Sequence, residues 1–125
     1  MISSLVLVPL AFVGGALSEI AAFCISLPGL IYIPTVLFMQ ELGFRGFVQT
    51  MLKETLGNRS RKLPVAVSSL WFSTIHIGYG WQIVVITFLL GLLLGGLFER
   101  QRSLLGVVLL HYLARAVGVA MELIP

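Results

Sequence analysis

Six ionisable side chains of this 125-residue sequence stand inside otherwise apolar stretches: Glu19, Glu41, Arg45, His76, His111 and Arg115. In Gln40-Glu41-Leu42-Gly43-Phe44-Arg45-Gly46 the acid precedes the base by four residues, so on a helix the two share a face and pair. Gln49 continues that polar stripe. Phe72-Ser73-Thr74-Ile75-His76 sets an aromatic ring one helical turn before a histidine, and His111-Tyr112-Leu113-Ala114-Arg115 puts a histidine and a cation on one face. Such groups can do proton chemistry: a carboxylate beside a histidine takes a proton from water, and fixed donors stabilise an oxyanion in a low-dielectric site. His76 and His111 alone make an incomplete zinc site, so no metal or other cofactor is expected.

The elements that carry these groups follow from composition. The chain is 58% hydrophobic and 10% charged, with a mean hydropathy of +1.06, whereas soluble domains are about 25% charged. Too few charges remain to cover a water-exposed globule. A disordered tail, a disulfide scaffold (Cys24 is the one cysteine) and a nucleic-acid module are excluded. A bilayer span takes about 20 residues of helix, so the length allows four or five. Pro28-Gly29 breaks the first long apolar run, and Pro34 falls early in the helix that follows. The expected helices cover about residues 2–27, 30–56, 64–77, 82–98 and 104–123, joined by the basic loop 57–63, the turn Gly78-Tyr79-Gly80-Trp81 and the polar linker 99–103. This is an all-α, polytopic membrane bundle of five transmembrane helices, with an N-terminal helix in 1–29 and a four-helix core in 30–125. No basic region precedes the first apolar run, so residues 1–27 are expected to be a retained span and not a cleaved signal peptide. Gly91-x-x-x-Gly95 permits close helix packing, within the bundle or against another protein.

Six of the eight cations flank loops 53–63 and 99–103. The positive-inside rule puts both loops in the cytoplasm, which places the chain in the cytoplasmic membrane. Arg45 and Arg115 remain at membrane depth, where an unpaired charge costs at least ~2.5–3.5 kcal/mol. Counted from the cytoplasmic helix ends at ~1.5 Å per residue, Arg45, His76 and Arg115 lie roughly 17–18 Å in, His111 about 12 Å and Gln40 about 24 Å. Three helices thus bring polar groups to overlapping depths, as a shared intramembrane cavity requires. Each group also has a structural reading. Glu41 and Arg45 form an ion pair between packed helices, the histidines are hydrogen-bonded core residues, and Arg115 is paired with Glu41 or with Glu19 as a buried counter-ion.

Taken together, the three strings resemble the CAAX protease and bacteriocin-processing family of intramembrane endopeptidases (CPBP, or Abi). That family's pattern is Glu-Glu-x-x-x-Arg, then Phe-x-x-x-His, then His-x-x-x-Asn on successive helices. The resemblance covers about residues 30–120 and implies peptide hydrolysis inside the bilayer. In that chemistry the first Glu and first His activate a water, the second His and the Asn stabilise the oxyanion, and the second Glu pairs with the Arg. The family-equivalent catalytic positions here are Gln40, His76, His111 and Arg115, with Glu41 and Arg45 as the structural ion pair.

Two of those positions depart from the pattern. Gln40 replaces the general base, and loss of a positioned base costs about 10²–10⁴ in rate. Arg115 replaces the Asn with a fixed charge. The expectation is therefore an inactive or weakened family member acting as a small subunit or assembly factor of a membrane complex. Its expected partners are membrane lipids and other membrane protein subunits, and not nucleic acid. An active intramembrane endopeptidase cleaving prenylated CAAX tails or peptide leaders is the alternative. A channel or transporter fragment is the weakest reading, because the chain shows no inverted repeat.

Overall fold

Where apolar sequence leaves few polar side chains to satisfy the backbone, the helix satisfies it internally. The computed structural model, which describes residues 4–56 and 59–124, is all α, with no strand among the described residues. Five helices follow in the expected order: α1 (Ser4–Ile25), α2 (Pro28–Thr55), α3 (Lys62–Thr74), α4 (Trp81–Gln101) and α5 (Leu104–Ala120). Residues 1–3 of the expected first span, and Gly57 and Asn58 of the basic loop, lie outside the described residues.

The break falls at Pro28-Gly29. There the chain bends by 73° between Ala11–Ile25 and Pro28–Thr55. Ser26 Oγ donates to the Phe23 carbonyl (2.7 Å) and accepts the Gly29 N–H (3.1 Å), closing the turn. Gly29 is buried there, and a Cβ would run into the Phe23 carbonyl. Within α2 the backbone winds as a π-helix over Pro28–Tyr32 and again over Leu42–Gln49. Pro34 has no N–H to donate, and the first wide turn directly precedes it.

Two boundaries differ from expectation. α3 stops at Thr74, so His76 sits between that helix and the 3₁₀ turn Ile77–Tyr79. α4 runs on through Gln101, which turns most of the expected polar linker into its last helical turn. The stop comes from Arg102, left-handed at φ 52°, whose N–H bonds the Phe98 carbonyl at 2.8 Å. Ser103 then caps α5 by accepting the Gly106 N–H.

Packing places the site. α3 lies along α4 with small residues between them: an added Cβ at Gly91 would be 2.9 Å from Ser69 Cβ, and at Gly95 2.8 Å from Val65 Cγ1. The Gly-x-x-x-Gly pattern is thus used inside the bundle. Gly95→Ala is expected to destabilise by about 1–3 kcal/mol through overpacking. Gly96→Ala, which meets nothing within 4 Å, should leave thermal unfolding in detergent unchanged or slightly raised. Equal melting shifts for the two would refute the contact. On the other side, Ile33 and Leu37 of α2 pack on Val108 of α5, and Leu94 and Phe98 of α4 on Val107. α1 rests on α5, with Phe23 and Tyr112 rings 5.9 Å apart.

The all-α bundle is observed, and its helices differ in length and apolarity as candidate spans. Among the described residues only α4 has both the length and the apolarity to cross a bilayer alone, with a mean hydropathy of 2.2 and 28% burial. The bent pair α1–α2 makes a second if it counts as one span. α5 has 17 residues and α3 only 13, which at ~1.5 Å per residue fall short of a ~30 Å hydrocarbon core. Large apolar side chains nonetheless face outward on every helix, among them Phe12, Leu17, Leu89, Leu93, Leu105 and Leu109.

Candidate active site

The polar stripe of α2 forms a seam against three helices. Glu41 is fully buried. One of its oxygens accepts from Arg45 Nε at 3.2 Å, and the other lies 2.6 Å from His111 Nδ1 on α5. Arg45, also fully buried, donates through Nη1 to Ser68 Oγ of α3 at 3.1 Å and lies 5.5 Å from the centre of the Phe72 ring. One turn on, Gln49 donates to the Gly95 carbonyl and to Glu99, each at 3.1 Å. Glu99 in turn binds Lys53 at 2.7 Å and stands 3.7 Å from Arg102. Burying an ion pair is costly unless its remaining polar atoms find partners. Here Glu41 finds two, and through them it ties α2 to both α3 and α5.

The Glu41–His111 bond joins residues 70 apart in sequence, and no local spacing announces it. The only hint was depth, and the depth ladder separated His111 from its neighbours because counting along helices ignores their crossing angles.

Beside this seam lies a cavity of about 300 Å³. Gln40, His76, His111 and Arg115 all line it, together with apolar residues such as Ile33, Leu37, Ile83 and Leu90. The structure therefore brings all four family-equivalent positions to one space. Glu41 and Arg45 stay behind it in the packed interior. Glu19 does not join them: it is exposed on α1, on a face that α5 leaves uncovered, so it is not a buried counter-ion.

The histidine tautomers follow from their partners. His76 Nδ1 is 3.0 Å from the Phe72 carbonyl, which can only accept, so Nδ1 carries the proton and Nε2 is left as an acceptor. The bond has a local cause. α3 ends just there, the His76 N–H turns to Ser73, and the ring satisfies a carbonyl the helix no longer serves. His111 donates Nδ1–H to the Glu41 carboxylate, which fixes the orientation of its ring. Phe72 sits between the two histidines, its ring centre 4.9 Å from His76 and 5.4 Å from His111. Gln40 lines the cavity with an amide, and its buried Oε1 has no hydrogen-bond partner among the described residues. Among the described residues no group of three or more His, Cys, Asp or Glu side chains converges as a metal site.

Compared with known proteins, the chain matches the model of one family, Type II CAAX prenyl endopeptidase Rce1-like, over residues 22–117. No curated protein and no solved structure gives a match. The matched stretch holds every cavity-lining polar residue named above and most of the chain's length. The chain thus belongs to the Rce1-like family of type II CAAX prenyl endopeptidases, a membrane-embedded family.

Proposed function

We propose that the protein is a family member that keeps the cavity for binding and has lost most of the hydrolytic step, serving as a small subunit or assembly factor of a membrane complex. One observation carries this reading. The cavity position that should supply the general base holds Gln40, and the nearest carboxylate, Glu41, is fully buried between Arg45 and His111. A neutral amide cannot accept the proton of an attacking water. The same reading keeps the helices in the bilayer as five spans, the shorter ones within a locally thinned membrane, with basic loops 53–63 and 99–103 in the cytoplasm. Outward-facing leucines and phenylalanines along the helices support a lipid-facing surface.

A second reading, an active endopeptidase for prenylated CAAX tails or peptide leaders, is favoured by the two histidines, whose Nε2 atoms remain available as acceptors. The two separate cleanly. Detergent-purified protein is incubated with a farnesylated CAAX peptide and the products are read by mass spectrometry. The proposal expects no tripeptide release above the protein-free blank, and native mass spectrometry after mild extraction should show a stoichiometric protein partner. Steady release that disappears in His76→Ala would establish the endopeptidase instead.

A further inference from the structure

The end of α4 carries more than a sorting signal. Orientation in a bilayer needs only the number of cations near a loop, whereas Arg102 is fixed in place. Its backbone is left-handed at φ 52°, a conformation that glycine takes at helix ends far more readily than a residue with a side chain. Its guanidinium lies 5.1 Å from the centre of the Phe98 ring, and the side chain is still 51% exposed. Glu99 is 3.7 Å away, too far for a hydrogen bond, and is already taken by Gln49 and Lys53. Most of the five N–H donors of Arg102 are thus left for another acceptor. Around it, six of the chain's eight cations gather against two carboxylates, Glu54 and Glu99.

A second observation lies on the outer face of α5. Leu105 and Leu109 follow Arg102 by one and two helical turns, share a face and are 67% and 55% exposed. They lead into a second cavity, an open groove of about 260 Å³ between α1, α2 and α5. Cys24, Gly29, Leu30, Pro34, Leu109 and Tyr112 line it, and it shares no lining residue with the cavity of Gln40. At ~1.5 Å per residue Leu109 stands about 10 Å from Arg102, within the ~15 Å half-thickness of a hydrocarbon core.

We infer that this face of α5 is a binding site for one anionic phospholipid: the phosphate on Arg102, an acyl chain over Leu105 and Leu109, and its further methylenes in the groove beside Gly29 and Tyr112. An apolar groove alone takes any lipid chain, and the excess of cations selects a headgroup of net negative charge. A guanidinium matches phosphate oxygens with its planar fork. A second copy of this chain would bring the same cations to the contact and repel. The inference rests on the helices lying in a bilayer and not on what the cavity of Gln40 does.

The test is native mass spectrometry of the full, delipidated chain in maltoside micelles. It is titrated with palmitoyl-oleoyl phosphatidylglycerol, with the phosphatidylcholine of the same chains, and with glycerol 3-phosphate. Phosphatidylglycerol should bind about tenfold or more tighter than phosphatidylcholine. Glycerol 3-phosphate, which brings the charge without chains, should bind about a hundredfold weaker. Arg102→Gln should lower phosphatidylglycerol binding about tenfold or more, whereas Arg59→Gln, which removes the same charge ahead of α3, should cost less than about fivefold. Leu109→Trp, which fills the groove, should weaken both phospholipids about threefold or more. Equal binding of the two phospholipids by the unaltered chain overturns the inference even if a variant fails to fold. Equal losses from Arg102→Gln and Arg59→Gln overturn it as well, since they would mean a diffuse basic surface. Glycerol 3-phosphate binding as tightly as the lipid would point to a soluble anion, and displacement of the lipid by a glutamate-rich peptide to an acidic protein partner; either result sinks the site. None of these outcomes bears on peptide cleavage, so the lipid site and the function proposed above fail separately.

Discussion

Gln40→Glu is expected to turn the protein into a measurable peptidase, raising release of the CAAX tripeptide by about 10²–10⁴-fold, the usual worth of a positioned general base. The exchange keeps the side chain's length and branching, so the cavity is not refilled. The new carboxylate would line the same cavity as His76, whose Nε2 is an acceptor, so that a water could be held between the two. The increase should vanish in the double variant with His76→Ala. A Gln40→Glu protein that is folded and binds peptide yet releases no more product than the starting chain would show that the missing base is not what silences the site.

Glu41→Gln has the largest expected effect on stability. The substitution removes the counter-charge of Arg45 and turns one of the two acceptor oxygens into a donor, which then faces the N–H of Arg45 or of His111 in the packed interior. Breaking one partner of a buried pair typically costs about 3–5 kcal/mol, whereas replacing both by apolar residues is far milder. Thermal or denaturant unfolding in detergent should therefore rank the single Glu41→Gln well below the double Glu41→Leu/Arg45→Met variant. A single substitution that is as stable as the original chain would mean that the carboxylate is not the tie between α2 and its neighbours.

Much of this arrangement was legible before any coordinates. Pro28-Gly29 marked the turn because a missing donor and a missing side chain leave the helix no good alternative there. The i,i+4 spacing of Glu41 and Arg45 gave their ion pair, and the three strings converge on one cavity through Gln40, His76, His111 and Arg115. Other features depended on contacts between distant segments. His111 as the second partner of Glu41 and Glu99 as the partner of Gln49 and Lys53 are set by how helices cross, which spacing along one helix does not encode. Glu19 was given a buried partner because its surroundings in sequence are apolar, but an apolar helix at the edge of a bundle still has an outer face, and Glu19 lies on it. The early end of α3 at Thr74 turns on a side chain taking over a backbone carbonyl at His76, a competition that hydropathy does not register.

The Glu99 carboxylate gathers Gln49 and Lys53 of α2 and approaches Arg102 just after α4. The cavity's lining includes Tyr32, near the opposite end of α2, and Tyr79, just before the opposite end of α4. Mechanically this is a pair of tongs, riveted at one tip and hollow at the other. Any spreading of α2 from α4 would therefore have to keep the Lys53–Glu99 end together and be greatest at the end of the tyrosines.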